Sequence, residues 1–202
     1  MINLSKGSKL NLTKEAPGLK NLKIGLKWGK QQYDGSFDFD LDLTTFMLDA
    51  NERVKSEDRV VGYMSNNGGK ATDNSQSVVY YGDNTTGSSG DDFDETVEIH
   101  LDKVPEDVQK IAFVCTIYEA ETRKQKFGMV TNSIITGMDA DNGDKAVFEF
   151  DLGEDFSSET ALIAAEVYKH NGDWKFNSLA SGYDGGLVAI CKRYGIDAEG
   201  GI

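Results

Sequence analysis

The sequence predicts an all-β fold, a sandwich of two roughly five-stranded sheets with one or more short helices. Turn signals recur about every ten residues, and the runs between them are rich in Val, Ile, Phe and Tyr. Several of those runs alternate apolar with polar residues, the period of a strand with one face buried. A length of 202 residues suits one domain burying roughly 70% of its unfolded surface, whereas two domains would be cramped. A single domain over residues 1–202 is therefore expected, with no linker and no internal repeat.

Strands are expected near 20–28, 37–48, 59–64, 77–81, 95–101, 110–118, 130–137, 145–152, 161–169 and 174–180. Two hairpins follow from Asn-Gly pairs, which supply the positive φ angles of a type I′ turn. Asn142-Gly143 separates Ser133–Thr136 from Ala146–Phe150, and Asn171-Gly172 separates Val167-Tyr168 from Trp174–Phe176. Leu187, Val188, Ile190, Cys191 and Tyr194 keep helical spacing, and Gly195 is placed for the left-handed residue that ends a helix. Val104-Pro105-Glu106-Asp107 offers the start of another helical turn.

Composition excludes several functions. A net charge of −13 repels phosphate backbones and anionic lipid heads, so direct nucleic-acid binding is not expected. No window approaches the roughly 18 apolar residues of a membrane span, and Met1–Gly7 contains no apolar export segment. A soluble cytoplasmic protein is expected, with no membrane insertion. Two cysteines, Cys115 in an apolar run and Cys191, form neither a disulfide framework nor a metal-ligand spacing and suit a reducing compartment.

Phe37-Asp38-Phe39-Asp40-Leu41-Asp42-Leu43 alternates without a break, so a strand here places Asp38, Asp40 and Asp42 on one face. Carboxylates about 7 Å apart repel by about 2 kcal/mol at an effective dielectric near 20. Either full hydration weakens that repulsion or something positive offsets it. The stretch Gly82–Glu95 packs Asp83, Asn84, Thr86, Asp91, Asp92 and Glu95 among glycines. Carboxylates, amide and hydroxyl oxygens, and carbonyls freed by glycine are the hard donors that Ca²⁺ gathers in sets of six to eight. Mg²⁺ prefers fewer protein ligands and retained water. A mobile polar loop has the same composition. Asn66 and Asn67, in Ser65–Gly69, offer amide oxygens toward the same pocket or form an ordinary turn. Asp139–Asp144 departs from an EF-hand, with Gly143 at the fifth position and Asp144 where glycine belongs, and reads as hairpin chemistry.

Other chemistry finds little footing. His100 and His170 are the only histidines, too few for a His-rich zinc site and neither poised for a Ser-His-Asp scheme. The phosphate-binding loop, the dinucleotide fingerprint and the nucleophile elbow are absent. No catalytic residue is assigned.

Several longer stretches, taken in order, resemble the TerD family of tellurite-resistance and stress-response proteins. They are Leu4–Gly7, Gly25–Trp28, Asp38–Asp42, Gly82–Gly87, Phe127-Gly128, Tyr168–Phe176, Gly182–Leu187 and Tyr194–Ile196, and together they span nearly the whole chain. The resemblance implies a β-sandwich that binds two Ca²⁺ ions through acidic loops. It further implies a bacterial role in resistance to tellurite, other chemical stress, phage or colicins, and no known reaction. Where the family has a Gly-Asp-Gly-Asp-Asp-Glu-like run, this chain has Gly90-Asp91-Asp92-Phe93-Asp94-Glu95. Asp91, Asp92 and Glu95 are the expected donors there, Asp94 is a substitute, and Phe93 is expected to turn into the core.

The reading that follows is a non-enzymatic, calcium-dependent interaction module whose partners are other stress-system proteins, at a membrane-associated complex. Two rivals stand beside it. One is a metal-dependent phosphoester hydrolase, which needs an open coordination position beside a general base. The other is a C2-like domain that reaches anionic lipid through Ca²⁺ and needs apolar or basic residues beside its ligands. Residues 82–92 supply neither.

Overall fold

The computed structural model describes residues 1–30, 37–87, 92–152 and 158–196. Among these, the strands in chain order are β1 (Ile2–Leu4), β2 (Lys9–Asn11), β3 (Asn21–Lys27), β4 (Leu41–Leu48), β5 (Val60–Val61), β6 (Ala71–Thr72) and β7 (Val78–Tyr80). They continue with β8 (Glu95–His100), β9 (Lys110–Ile117), β10 (Ile134–Asp139), β11 (Lys145–Asp151), β12 (Ala161–His170) and β13 (Asp173–Tyr183). Three short helices are α1 (Leu12–Glu15), α2 (Ala120–Arg123) and α3 (Gly186–Tyr194).

The strands form a seven-stranded sheet, ordered β1-β11-β10-β3-β8-β7-β6, and a six-stranded sheet, ordered β2-β13-β12-β9-β4-β5. The sequence points to about five strands in each. The additions β1, β2 and β6 have two or three residues each, too few for alternation to register, and each pairs along the edge of a longer strand. All pairs are antiparallel except β1 with β11.

Alternation sets the core between the sheets. Leu22, Ile24 and Leu26 of β3 and Val97 and Ile99 of β8 point inward against Leu41, Leu43 and Met47 of β4 and Phe113 and Cys115 of β9. The opposite face of the six-stranded sheet is covered as well: Phe46, Leu48, Ala112, Val114, Ala161 and Ile163 lie beneath Ile190, Cys191 and Tyr194 of α3. Consequently every residue of β4 is buried, including those on the face that alternation alone leaves open to solvent.

Local expectations fare unevenly. Asn171 and Gly172 both take positive φ, 54° and 83°, in a two-residue loop between paired His170 and Asp173, as a type I′ turn requires. Asn142-Gly143 does not form such a turn. Residues 140–144 make a longer connection between paired Asp139 and Lys145, in which Gly143 and Asp144, not Asn142, carry positive φ. Val104–Asp107 forms no helix, and a single Val108 N–H to Pro105 carbonyl contact of 3.0 Å closes a turn. The strand expected at 59–64 shrinks to β5, because the chain tightens into a 3₁₀ turn at Tyr63–Asn66. The strand expected from residue 37 begins at Leu41, and Phe37 is 63% exposed instead of inward. The C-terminal helix ends as expected, with Gly195 at φ 84°.

Candidate metal centre

Trp28 holds the rim of the sandwich together. Its indole N–H donates to the Phe39 carbonyl at 3.0 Å, its backbone N–H donates to Asp94 Oδ2 at 3.1 Å, and Gly87 lies so close that a Cβ there would come 2.4 Å from the indole nitrogen. One buried residue, through its ring and its backbone N–H, thus fixes the approach to β4 and both ends of the acidic loop. Behind them, Gln125 Nε2 donates to the carbonyls of Phe37 and Asp38 at 2.8 and 3.2 Å, and the Tyr118 N–H donates to the Asp40 carbonyl at 2.9 Å. On the far side, the Asp83 N–H donates to the Gly68 carbonyl at 2.9 Å, seating Asp83 on the turn that follows β5.

These anchors bring Asp40, Asp42 and Asp83 together, with one carboxylate oxygen of each lying within 4.8 Å of the others. They line a cleft of about 600 Å³ with Asp38, Asn67, Thr85 and the rings of Tyr63 and Tyr118. Asp40 and Asp42 are only 5% and 3% exposed, so the hydrated-face alternative does not hold for them. Desolvation, reinforced by Asp83 and resisted by Arg123, pushes Asp40 up to about 6. Burial, followed by repulsion from Asp40 and Asp83, pushes Asp42 up to about 8. Burial first, then the Asp42 charge, also carries the Tyr63 phenol to about 12. Asp40 Oδ1 and Asp83 Oδ1 are buried and have no hydrogen-bond partner among the described residues.

The positive group that the acidic strand calls for is Arg123, which sequence reading missed. Its Nη1 stands 3.5 Å from Asp40 Oδ2 and its Nε 3.5 Å from Glu119. Nothing near Arg123 in sequence signals this. Contact with Asp40 depends on α2 folding back, with Glu119 and Lys124 at either end in left-handed conformation.

The other candidate ligands are placed differently. Asp38 lines the cleft at its exposed mouth, and Asn67, at positive φ, lines it too. Asn66 turns away and donates from Nδ2 to the Lys70 carbonyl at 2.9 Å. Asn84 Oδ1 accepts from the N–H groups of Thr86 and Gly87 at 3.0 and 3.2 Å, so Asn84 and Thr86 shape the loop locally, and Thr85 reaches the cleft in their stead. Asp91 lies outside the described residues.

Asp92 lines a separate groove on the outer face of the seven-stranded sheet, beside Lys23 and Lys27. That groove is larger, about 680 Å³, but its Lys23 and Asp144 already pair at 2.8 Å. Phe93 lies there also, its ring so close to Gly25 that a Cβ would meet it at 2.4 Å. It fills the gap left by a side-chain-free strand position and does not enter the core. Glu95 is 1% exposed and has both oxygens occupied, Oε2 by the Leu43 N–H at 2.6 Å and Oε1 by the Tyr80 hydroxyl at 2.8 Å. It ties β8 of one sheet to β4 of the other, and burial raises its pKa well above the usual carboxylate range.

Three convergent carboxylates form an all-oxygen donor set, and Asn67 and Thr85 line the same cleft. Unpartnered buried oxygens on Asp40 and Asp83 give that set a reason to take up a hard cation. The cluster can hold a metal ion.

A TerD domain model matches residues 1–194. The chain belongs to the TerD family. General stress protein 16U of Bacillus subtilis is 45% identical over 195 residues, covering 96% of this chain and 97% of that protein. Tellurium resistance protein TerD of Serratia marcescens is 44% identical over 198 residues, covering 98% and 99%. The crystal structure of a homologue of telluride resistance protein (TerD) from Streptomyces coelicolor A3(2) superimposes with a TM-score of 0.69 at 19% identity, over 89% of this chain and all of that one. The TerD fold is therefore shared, and in this member the Asp38–Asp42 and Gly82–Gly87 stretches meet at one rim of it.

Proposed function

We propose that this TerD-family chain acts in resistance to tellurite and related chemical stress as a calcium-binding interaction module. The stress and resistance roles rest on relatives named for them, similar over nearly their whole length. The metal reading rests on one observation: Asp40, Asp42 and Asp83 converge with buried carboxylate oxygens left unpartnered.

Asp40, Asp42 and Asp83 would hold the ion, with Asn67, Thr85 or water completing six to eight oxygens. A bound divalent cation supplies positive charge where three negative groups crowd. The chain's part is to keep those groups in place: Trp28 pins Phe39 and the loop end, Gln125 pins residues 37 and 38, and the Gly68 carbonyl pins Asp83. A bound ion stabilises the fold by mass action, about 2.7 kcal/mol at a hundredfold excess over Kd. One divalent ion at this cluster would bring the net charge from −13 to about −11, changing which surfaces the rim attracts. Docking onto other stress-system proteins, at a membrane-associated complex, is the proposed consequence.

Neither cysteine serves direct tellurite chemistry. Cys115 and Cys191 are both buried, and burial raises both thiols, Cys191 to about 11. Among the described residues no helix is long and apolar enough to cross a membrane.

Calorimetric titration of the chelator-treated chain with CaCl₂ tests the reading. Saturable heat is expected, with Asp40→Asn and Asp83→Asn each weakening binding by roughly tenfold or more. Heat equal to dilution in the native chain overturns it. Affinity capture from stressed cells, run with calcium and with chelator, tests the module: identical partners in both would remove the metal-dependent role.

A further inference from the structure

The cleft contains a cation of its own. Arg123 Nη1 is 3.5 Å from Asp40 Oδ2, its guanidinium carbon lies 4.9 Å from the centre of the Tyr118 ring and 5.5 Å from that of Phe37, and its Nε faces Glu119 at 3.5 Å. The side chain is 16% exposed. The contact with Asp40 is long for a guanidinium and a carboxylate, which pair at about 2.7–2.9 Å when the fit is good. Asp40 Oδ1 receives no hydrogen bond, and the Arg123 Nε–H donates none. Arg123 thus offsets the acidic cluster partially and sits where the rings can hold it whether or not Asp40 does.

We infer that Arg123 is a built-in counter-ion that competes with the divalent cation for Asp40 and thereby sets the affinity and selectivity of the centre. This rests on the metal reading above. In the metal-free chain the guanidinium offsets carboxylates that would otherwise face each other unscreened. When Asp40 takes a divalent ion, the same guanidinium is a like charge nearby and yields toward Tyr118, Phe37 and Glu119. An affinity lower than the donor set alone would give follows. So does discrimination against monovalent ions, which carry too little charge to displace a guanidinium from Asp40.

The test uses the full chain, chelator-treated and titrated with CaCl₂ by calorimetry, as the native sequence, Arg123→Gln and Arg123→Lys. Arg123→Gln is expected to bind calcium roughly tenfold more tightly, because one positive charge near the ion is gone, whereas Arg123→Lys keeps the native Kd within about threefold. In chelator, Arg123→Gln should melt below the native chain, and saturating calcium should close that gap. A second measurement needs no variant: the Nε–H resonance of Arg123 in the native chain should shift on calcium titration with the calorimetric Kd. Equal or weaker binding by Arg123→Gln, or an Arg123 resonance unmoved at saturation, overturns the inference while leaving the metal reading intact. No binding by any of the three proteins sinks both.

Discussion

Two aspartate-rich regions of this chain meet opposite fates. At residues 139–144, Asp141 accepts the N–H groups of Lys20 and Asn21 at 2.8 and 2.9 Å and the Asn21 amide at 2.6 Å, while Asp139 accepts the Asp141 N–H at 3.1 Å. Those donors, led by the Lys20 backbone, hold Asp141 below the usual carboxylate range. At the rim, Asp40 and Asp42 are buried beside Asp83 with few donors, and both are pushed up, to about 6 and about 8. An aspartate surrounded by backbone N–H groups is structural material already in use. One buried among its own kind can take up a cation, and counting acidic residues does not separate the two cases.

The most severe challenge to this contrast is Asp42→Asn, an isosteric change that removes one buried ionisable carboxyl while keeping an acceptor for Thr116. In chelator the variant is expected to be more stable by about 2 kcal/mol, raising the melting midpoint by roughly 4–8 °C. At a thousandfold calcium excess, binding adds about 4.1 kcal/mol to the native chain but only about 1.4 kcal/mol to a variant whose affinity has dropped about a hundredfold, so the order should reverse. Thermal melts under both conditions check it, and a variant that ranks the same way in each would erase the distinction between the regions.

Acidity sharpens the comparison, because the two regions respond with opposite sign. Asp40 and Asp42 hold protons more tightly folded than unfolded, so their contribution to metal-free stability should be greatest below the ordinary carboxylate range near pH 4. It should be lost as pH rises through about 6 and then about 8. Asp141 is lowered, so its contribution is present above that range and disappears as pH falls below it. Urea midpoints of chelated protein at pH 5, 7 and 9 should decline for the native chain. The fall above pH 7 should flatten in Asp42→Asn, and calcium should flatten the whole series.

The smallest expected effect comes from the satisfied region. Asp141→Ala removes three hydrogen bonds at an exposed loop and should cost about 1 kcal/mol, equally with calcium and with chelator. A loss that depends on calcium would mean that this loop communicates with the rim.

Much of the fold was readable because its signal is local. The Asn171-Gly172 turn, the inward sides of β3 and β8 and the glycine stop after α3 each follow from residues within a few positions of one another. Asn142-Gly143 misled for a tertiary reason: Asp141 is tied to the start of β3, which draws the connection into a longer loop. At the site, Asp40, Asp42 and Asp83 stood out by pattern and converge as that pattern suggests. Asn84 and Glu95 have the same chemical types, yet their oxygens are taken by the loop's own N–H groups and by a contact between the sheets.

Sequence by itself determined the two-residue period of the core strands and the clustering of oxygen donors at Asp38–Asp42 and Gly82–Gly87, since each depends on residue type and spacing along one segment. Only the tertiary structure decided that β4 is covered on both faces, that Asp40 and Asp42 are desolvated, and that Arg123 comes back to meet Asp40. The physical reason is that alternation assigns side chains to faces, whereas the burial of a face depends on which distant segment packs over it. A carboxylate's affinity for a cation follows from that burial.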